Sequence, residues 1–363
     1  MHVPRPWRWA GCKSMAIAAA CVLVTSLGSS THAAAATNAS ATLTVTSPSL
    51  VFIQGSTRIT VDSNQASVSW SVTDDQRQPV RSGTAAIAGG SGKINLDNLG
   101  PGYYNLSVRA GGATRTTSFG VLSALPAGPR DQRFGVGMHL EGGMNSHWVN
   151  DAGNVGFGAV RTDVSWGAVE QTKGVYTYPA GEDTAVSQLH DLGIKPLLIT
   201  DYRNPFYDDN KTPSSPAAQQ AFANFSSNIL DHYGYATNQL EVYNEFNGGF
   251  NDGACGNTPD CYLPLLAAVD KKVKADHPNA AVVGPALAGI DTAWLDRLFQ
   301  LGGLGDLDAV TVHTYTYPSP PEGKIDGQVA AGRSTIDAAG GKSKEMWLDE
   351  SGWSTFQGST TES

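Results

Sequence analysis

Apolar and polar residues alternate along residues 41–122 in short runs. The runs are residues 43–45, 59–61, 68–72, 104–108 and 117–121, with apolar or aromatic side chains at every second position apart from Thr117. Turn-forming pairs such as Asp74-Asp75 and Gly111-Gly112 separate runs of this kind. Short period-two segments with regular turn signals and little helical periodicity are typical of antiparallel sheets. We therefore predict an all-β sandwich domain over residues 41–122.

The pattern changes after a Pro/Gly-rich linker at residues 123–132. From residue 133 onwards, short apolar runs alternate with amphipathic segments at helical period. The predicted strands are residues 134–138, 159–162, 195–200, 240–243, 280–284, 309–312 and 346–348. The predicted helices include residues 182–192, 216–233, 261–277, 292–301 and 327–339. Repeated strand-then-helix order predicts an α/β domain, a (β/α)8 TIM barrel over residues 133–363.

Seven strands are predicted where a complete barrel of this type has eight. Thirteen residues follow Glu350, too few for a helix, a strand and another helix. We therefore expect the barrel to be truncated before strand 8.

Residues 1–36 have the order of a secretory signal peptide. Arg5, Arg8 and Lys13 form a basic start, residues 15–27 are apolar, and small residues follow up to Ala36. The apolar core is too short to anchor the chain across a bilayer. We expect export, to the extracellular space or the periplasm.

Charge and cysteine content restrict the partners. The formal charge is −9 and becomes about −12 when the three signal-peptide cations leave. An acidic, unclustered surface argues against nucleic acid and anionic membranes, and we expect a monomer. Cys255 and Cys261 lie close together in a polar loop, which in an exported protein predicts a local disulfide. No matching His or Cys pair lies nearby, so we predict no metal site and no cofactor.

Two segments place a glutamate at the end of a predicted strand. They are Leu240-Glu-Val-Tyr-Asn-Glu-Phe-Asn247 and Met346-Trp-Leu-Asp-Glu-Ser-Gly-Trp353. The carboxyl ends of barrel strands meet at one rim, so these carboxylates should face each other. A facing pair of carboxylates is what retaining glycoside hydrolysis requires.

The motif resembles that of the retaining (β/α)8 glycoside hydrolases of clan A, most closely family 39 and its neighbours. Its signature is Asn-Glu after the fourth strand and Glu after the seventh, here Asn244-Glu245 and Glu350. The resemblance implies a glycosidase acting on a poly- or oligosaccharide, with Glu245 as acid/base and Glu350 as nucleophile. Separately, residues 99–108 resemble the turn and late strand of immunoglobulin-like modules, which implies an Ig-like sandwich.

The same resemblance suggests substrate-binding roles for further residues. Arg161 would be the cationic partner of the nucleophile, Tyr315 its hydrogen-bond donor, and Asn244 the ligand of the sugar 2-hydroxyl. His313 and His139 would line or shape a subsite. Aromatic residues just beyond strand ends could stack on sugar, namely Trp353, Trp166, Tyr202 and Phe246. Asp349, next to Glu350, should point to the opposite face of the strand and be structural.

Other interpretations stay open for several of these residues. Arg161 could form a structural ion pair, His313 could be a satisfied buried histidine, and Trp166 could pack in the core. At the level of function, the main alternative is a non-catalytic secreted carbohydrate-binding protein. A hydrolase of non-sugar esters is a second alternative, but the sequence offers no oxyanion hole. Gly340-Gly-Lys-Ser343 is not a phosphate loop, because Ile336 stands where the first glycine is needed.

Overall fold

The computed structural model describes residues 40–140 and 146–353. The predicted signal peptide lies outside the described residues. Two sheets occupy residues 41–122, and a third sheet, with helices around it, occupies the described residues from 135 onwards. The N-terminal strands are β1 (Leu43–Val45), β2 (Val51–Ile53), β3 (Arg58–Ser63), β4 (Ser67–Asp74), β5 (Pro79–Ala86), β6 (Ser91–Asn95), β7 (Gly102–Ala110) and β8 (Ala113–Leu122).

The two N-terminal sheets share one hydrophobic core. The smaller sheet has the order β1-β3-β6 and the larger sheet the order β2-β8-β7-β4-β5. Ile59 and Ile94 of the smaller sheet belong to the same buried cluster as Val72, Val108 and Phe119 of the larger one. The alternation in the sequence produces this arrangement, because every second side chain of a strand points to the same face. The predicted all-β region is present, whereas its immunoglobulin-like topology stays a prediction.

Three N-terminal strands were not predicted from the alternation. They are β2, β5 and β6. Strand β5 lies at the edge of its sheet, pairs only with β4 among the described strands, and is exposed at most positions. A strand exposed on both faces has no apolar period, so its sequence does not show the pattern that predicts strands.

The third sheet is a parallel barrel of seven described strands in sequential order. The strands are β9 (Gly135–Gly137), β10 (Ala159–Ser165), β11 (Lys195–Asp201), β12 (Gln239–Val242), β13 (Ala281–Leu287), β14 (Ala309–His313) and β15 (Glu345–Glu350). All seven predicted strands are present, with bounds that differ from the prediction by at most three residues. The first and last strands, β9 and β15, approach each other without pairing, so the barrel is nearly closed.

Helices cover the outside of the barrel. They are α1 (Ser146–Val155), α2 (Trp166–Val169), α3 (Ala180–Asp191), α4 (Pro216–Tyr233), α5 (Pro259–Asp276), α6 (Thr292–Gln300) and α7 (Ile325–Ala338). The largest core lies between strands and helices, where Leu240 and Val242 of β12 pack with Phe222 of α4 and Leu266 of α5. None of the described helices is both long and apolar enough to cross a membrane.

The alternate residues of the barrel strands point to the barrel interior. A small apolar cluster of Leu197, Val283 and Ala309 belongs to this interior layer. Glu241 on β12 pairs with Val283 on β13 in the sheet register, so its side chain belongs to the same interior layer. Glu241 is fully buried. A buried carboxylate in this position needs a cation or hydrogen-bond donor close by, and it lies beneath the end of the barrel that carries the predicted site.

Candidate active site

Four of the five residues central to the prediction meet at one rim of the barrel, and Arg161 reaches them from within β10. Asn244 and Glu245 follow directly after β12, while His313 ends β14 and Glu350 ends β15. All of these strands are parallel, so their carboxyl ends open on the same side. The fold therefore brings together residues that lie up to 189 positions apart in the sequence.

The guanidinium of Arg161 is the centre of the hydrogen-bond network. Its Nη1 donates to Glu350 Oε1 at 2.5 Å, its Nη2 to Asn244 Oδ1 at 2.8 Å and its Nε to Glu241 Oε2 at 2.6 Å. Burial lowers the pKa of Arg161, but the carboxylates of Glu241, Asp349 and Glu350 raise it by more, so the pKa lies above its ordinary value. Arg161 is thus a cation that holds three side chains, two from β12 and its end and one from the end of β15.

Glu350 accepts hydrogen bonds on both carboxylate oxygens. Arg161 donates to Oε1, and the hydroxyl of Tyr315 donates to Oε2 at 2.9 Å. Burial and the charge of Glu350 raise the pKa of Tyr315 above its ordinary value, so the phenol keeps the proton that it donates. Donors on both oxygens stabilise the ionised carboxylate, the form in which a carboxyl group acts as a nucleophile.

Glu245 lies opposite Glu350 with His313 between them. Oε1 of Glu245 is 2.8 Å from Nδ1 of His313, and the same nitrogen is 3.5 Å from Oε2 of Glu350. A carboxylate oxygen of Glu245 and one of Glu350 lie within 4.8 Å of each other. Retaining glycosidases hold their two carboxyl groups about 5–5.5 Å apart, whereas inverting enzymes leave a wider gap for water. In this site the two nearest oxygens are close to each other across the rim.

Left-handed backbone conformations hold the segment that carries Glu245. Tyr243 has a φ of 67° and Glu245 a φ of 48°, while Ala286 on neighbouring β13 has a φ of 49°. The amide of Glu245 donates to the carbonyl of Ala286 at 2.9 Å, which ties two of these positions together. Such conformations cost a non-glycine residue about 1–3 kcal/mol and cluster at functional sites. Their concentration here supports a functional role for the end of β12.

His313 does not line an open subsite, contrary to the direct sugar contact that the resemblance suggested. Its side chain is fully buried beneath the two glutamates. Besides the contact with Glu245, its Nε2 lies 3.8 Å from Oδ1 of Asp349. The His313 side chain has no exposed surface, and its contact with Glu245 restrains the direction of that carboxyl group.

Asp349 is placed differently from the prediction. It was expected to point away from Glu350, yet its Oδ2 lies 3.3 Å from Nε of Arg161, and its side chain is 5% exposed. The pairing of β14 with β15 shifts register between Val312 and His313, where Leu348 and Glu350 face consecutive residues. This irregularity breaks strict alternation, so that Asp349 and Glu350 both reach Arg161.

Two predicted stacking residues are core residues instead. Trp166 and Phe246 are 0% and 2% exposed. The indole of Trp166 stacks on Tyr207, and its Nε1 donates to buried Glu170. A sugar cannot reach either ring in this structure, and the sugar-stacking prediction for both is wrong. The position of an aromatic residue just after a strand does not distinguish an exposed ring from one that packs under the rim.

The remaining predicted contacts lie at or near the rim. Trp353 is partly exposed, and its Nε1 donates to the carbonyl of Ser319 at 3.0 Å. His139, just after β9, is largely exposed and lies 3.1 Å from Asp163 on β10. Both positions are compatible with substrate contact, which stays a prediction.

Two aromatic residues, Tyr202 and Phe250, lie beside Asn244, and only Tyr202 was predicted from the sequence. The hydroxyl of Tyr202 accepts a hydrogen bond from Asn244 Nδ2 at 3.0 Å. The ring of Phe250 stacks on Tyr202 with a centroid distance of 5.3 Å and an interplanar angle of 8°. Phe250 is 46% exposed and presents an open apolar face next to the site. It lies in the long loop after β12, where no periodicity points to it.

The predicted disulfide is present. Cys255 and Cys261 are bonded, and their Cα atoms are 5.7 Å apart. The bond lies at the end of the loop that carries Phe250, just as α5 begins. It closes a small loop and therefore restricts the chain close to the site.

One group among the described residues has the spacing that a metal ion could bridge, namely Glu245, His313 and Glu350. Arg161 already supplies positive charge to Glu350, and Tyr315 occupies its other oxygen. Glu350 is thus charge-paired and hydrogen-bonded by protein side chains.

The described domain after residue 134 is a nearly closed parallel α/β barrel of the TIM type. No protein-family model matches the chain, and no curated protein matches it in sequence. Solved structures do share the fold. A family 39 glycoside hydrolase from Bacteroides cellulosilyticus WH2 is similar with a TM-score of 0.64 and 22% identity, over 77% of this chain and 59% of that chain.

Two further structures are similar to this chain. A family 39 β-xylosidase from Caulobacter crescentus has a TM-score of 0.51 and 22% identity, covering 63% of this chain and 56% of that one. The family 39 enzyme from Xanthomonas axonopodis pv. citri has a TM-score of 0.50 and 24% identity, covering 63% and 53%. This chain thus spans a little over half of each of these structures. This chain shares its barrel fold with solved family 39 glycoside hydrolases, the group that the sequence was predicted to resemble.

Proposed function

We propose that the protein is a glycoside hydrolase that cleaves O-glycosidic bonds of a poly- or oligosaccharide with retention of configuration. The observation that carries the proposal is the pair Glu245 and Glu350, with carboxylate oxygens within 4.8 Å of each other and donors on both oxygens of Glu350. The spacing fits a covalent intermediate better than a water-mediated inversion.

Two steps follow from this geometry. In the first, Glu350 attacks the anomeric carbon while the bond to the leaving oxygen breaks, and Glu245 donates its proton to that oxygen. In the second, the Glu245 carboxylate accepts a proton from water, the water oxygen attacks the anomeric carbon, and the bond to Glu350 breaks. Asn244, held by Arg161 and Tyr202, is positioned for the 2-hydroxyl of the sugar.

The signal-like order of residues 1–36 supports export, and the acidic composition supports a carbohydrate partner rather than nucleic acid.

We propose a spacer or stabilising role for the N-terminal sheets. Their exposed aromatic Tyr103 lies in β7, a strand of the larger sheet that contributes no residue to the site.

The test is hydrolysis of a panel of aryl β-glycosides and of plant or bacterial polysaccharides by the full chain. An aryl β-xyloside belongs in the panel, because one of the similar structures is a β-xylosidase. We expect turnover by the wild type and none by Glu350→Gln, since an amide cannot form the glycosyl ester. Glu345→Gln, at the opposite end of the same strand, is the matched control and should retain activity.

Proton-magnetic-resonance detection of the first-formed anomer tests retention. In the same panel, Glu245→Ala should slow substrates with poor leaving groups far more than activated aryl glycosides, because only the former need a proton donor. Equal losses on both would contradict the role of Glu245. A folded wild type that binds polysaccharide but turns over no substrate would favour the alternative, a non-catalytic carbohydrate-binding protein.

A further inference from the structure

Three carboxyl groups surround the single guanidinium of Arg161. Glu350 belongs to the proposed reaction, while Glu241 and Asp349 do not reach the open rim. Nε of Arg161 lies 2.6 Å from Glu241 Oε2 and 3.3 Å from Asp349 Oδ2. The side chain of Glu241 is fully buried and that of Asp349 is 5% exposed. The interior of the barrel therefore contains more acid than one cation neutralises.

Hydrogen bonding shows the same imbalance. As ionised groups, Glu241 Oε1 and both oxygens of Asp349 are among the described buried atoms without a donor. The two side chains are close enough to hydrogen-bond each other, and both contact the same nitrogen of Arg161. Two ionised carboxylates in such contact repel each other strongly when water is excluded. A single proton on one of them removes that repulsion and supplies the missing donor.

The geometry indicates which carboxyl group carries the proton. Glu241 receives the shorter contact from Arg161, at 2.6 Å against 3.3 Å for Asp349, so Glu241 is the ionised partner. Burial of Asp349 raises its pKa well above the ordinary value, and the charge of Glu241 raises it further. For Glu241, burial also raises the pKa, but the charge of Arg161, hydrogen bonds to the carboxylate and the charge of His313 together lower it below the ordinary value.

The other titratable groups that face this pair come from neighbouring strands. His313 Nε2 on β14 lies 3.8 Å from Asp349 Oδ1, and Glu350 follows Asp349 on β15. Neither the histidine nor Glu350 supplies a donor to Asp349 within hydrogen-bond distance. The proton between the two acids is consequently the simplest way to satisfy them.

We propose that Glu241 and Asp349 share one proton, and that this pair positions Arg161 so that its remaining donors hold Glu350 and Asn244. Both acids are positioning residues, since they contact the arginine and not the substrate. With Asp349 neutral, Arg161 divides its charge between Glu241 and Glu350 instead of among three anions. The effect on turnover rests on the proposed function, whereas the shared proton does not.

Infrared spectroscopy tests the proton directly. Spectra are recorded at neutral pH in a Glu245→Gln background, which removes the carboxyl group of the proposed acid/base. We expect a C=O stretch of a protonated carboxylic acid that disappears when Asp349→Asn is added and persists when Glu345→Gln is added. If no band is lost with Asp349→Asn, the shared proton is refuted, whatever the protein hydrolyses.

Kinetics test the positioning role on any substrate that the wild type turns over. Asparagine keeps a donor toward Glu241 without adding charge, so Asp349→Asn should keep kcat within about threefold. Asp349→Ala and Glu241→Gln should lower kcat about tenfold or more, the range typical of residues that orient catalytic groups, with a smaller change in KM. Circular dichroism confirms folding of each variant. A loss for Asp349→Asn as large as for Asp349→Ala would show that the charge is needed and would overturn the proposal.

Discussion

At the scale of single residues, much of this site depends on Arg161, whose side chain contacts residues that are far from it in the sequence. It lies within β10, yet it donates to Glu241 on β12, to Asn244 just after that strand, and to Glu350 on β15. Its role as partner of Glu350 could be predicted, because the resemblance assigns a cation to the end of strand 2. Its contacts with Glu241 and Asp349 could not, since they depend on strand register.

At the scale of single residues, Phe250 leads to a prediction about substrate affinity. We expect Phe250→Ala to raise KM for the best glycoside about threefold to tenfold with little change in kcat. An aromatic face that stacks on a sugar contributes roughly 1 kcal/mol and acts equally on ground and transition states. Steady-state kinetics measure it, with Tyr103→Ala as the control for loss of an exposed ring elsewhere. An unchanged KM would exclude Phe250 from the substrate path.

Asp349 carries a pH prediction at the same scale. Its pKa in the folded protein is raised, so the folded chain binds a proton that the unfolded chain releases above pH of about 4. Its contribution to stability is complete below that pH and is lost as the pH rises toward the folded pKa. Above a pH of about 5, and as far as the folded pKa, the wild type should therefore lose up to about 1.4 kcal/mol per pH unit relative to Asp349→Asn, which does not titrate.

Urea unfolding of the two proteins at several pH values measures this difference. Glu241 has the opposite pH dependence, but because its pKa is lowered, its contribution to stability is complete above its ordinary pKa of 4.5 and stays constant at higher pH. Parallel dependence of the two free energies on pH would show that Asp349 is already ionised in the folded protein.

At the scale of elements, irregular strand ends and helix caps determine features of the structure that the alternation of apolar and polar residues does not show. The register shift near the end of β15 turns Asp349 and Glu350 toward the same arginine. The left-handed residues after β12 similarly set the direction of Glu245. Regular strands could be predicted from the period of apolar residues. A shift of one residue at a strand end leaves that period almost unchanged, so sequence pattern does not show it.

Ser215 gives a prediction for the stability of one element. Its Oγ accepts from the amide of Ala218 at the start of α4, where it satisfies one of the free helix donors. Ser215→Ala should lower the free energy of unfolding by about 1 kcal/mol. Thr258 precedes α5 without a side-chain cap bond, so Thr258→Ala should change it by less than about 0.5 kcal/mol. Equal losses, measured by urea unfolding, would mean that the cap does not stabilise α4.

At the scale of the whole molecule, the chain forms separate hydrophobic cores. The N-terminal sheets enclose one cluster of buried residues, and the barrel has its own clusters between strands and helices and inside the strands. A described contact joins the regions, where Ser49 Oγ donates to Asp151 Oδ1 of α1 at 2.6 Å. The residues of the candidate site all belong to the barrel, so the N-terminal sheets contribute none of them.

The separate core leads to a prediction about folding. A fragment of residues 41–122 should fold alone and unfold cooperatively in urea, because its apolar residues bury one another without the barrel. Circular dichroism and tryptophan fluorescence of Trp70 measure the transition. The same fragment with Val108→Asp should show no transition, since this side chain is fully buried. Absence of a transition in the unsubstituted fragment would mean that the sheets need the barrel for stability.

The sequence by itself determined the order of the strands, the two kinds of domain pattern, the local disulfide and the two glutamates at strand ends. These features follow from the chain's local period and from residue types at fixed spacing. Tertiary structure decided which rings are exposed, so that Trp166 is buried while Phe250 is open. It also decided that Glu241 and Asp349 meet at Arg161. Burial and contact between distant strands depend on register and on irregular strand ends, which no local pattern encodes.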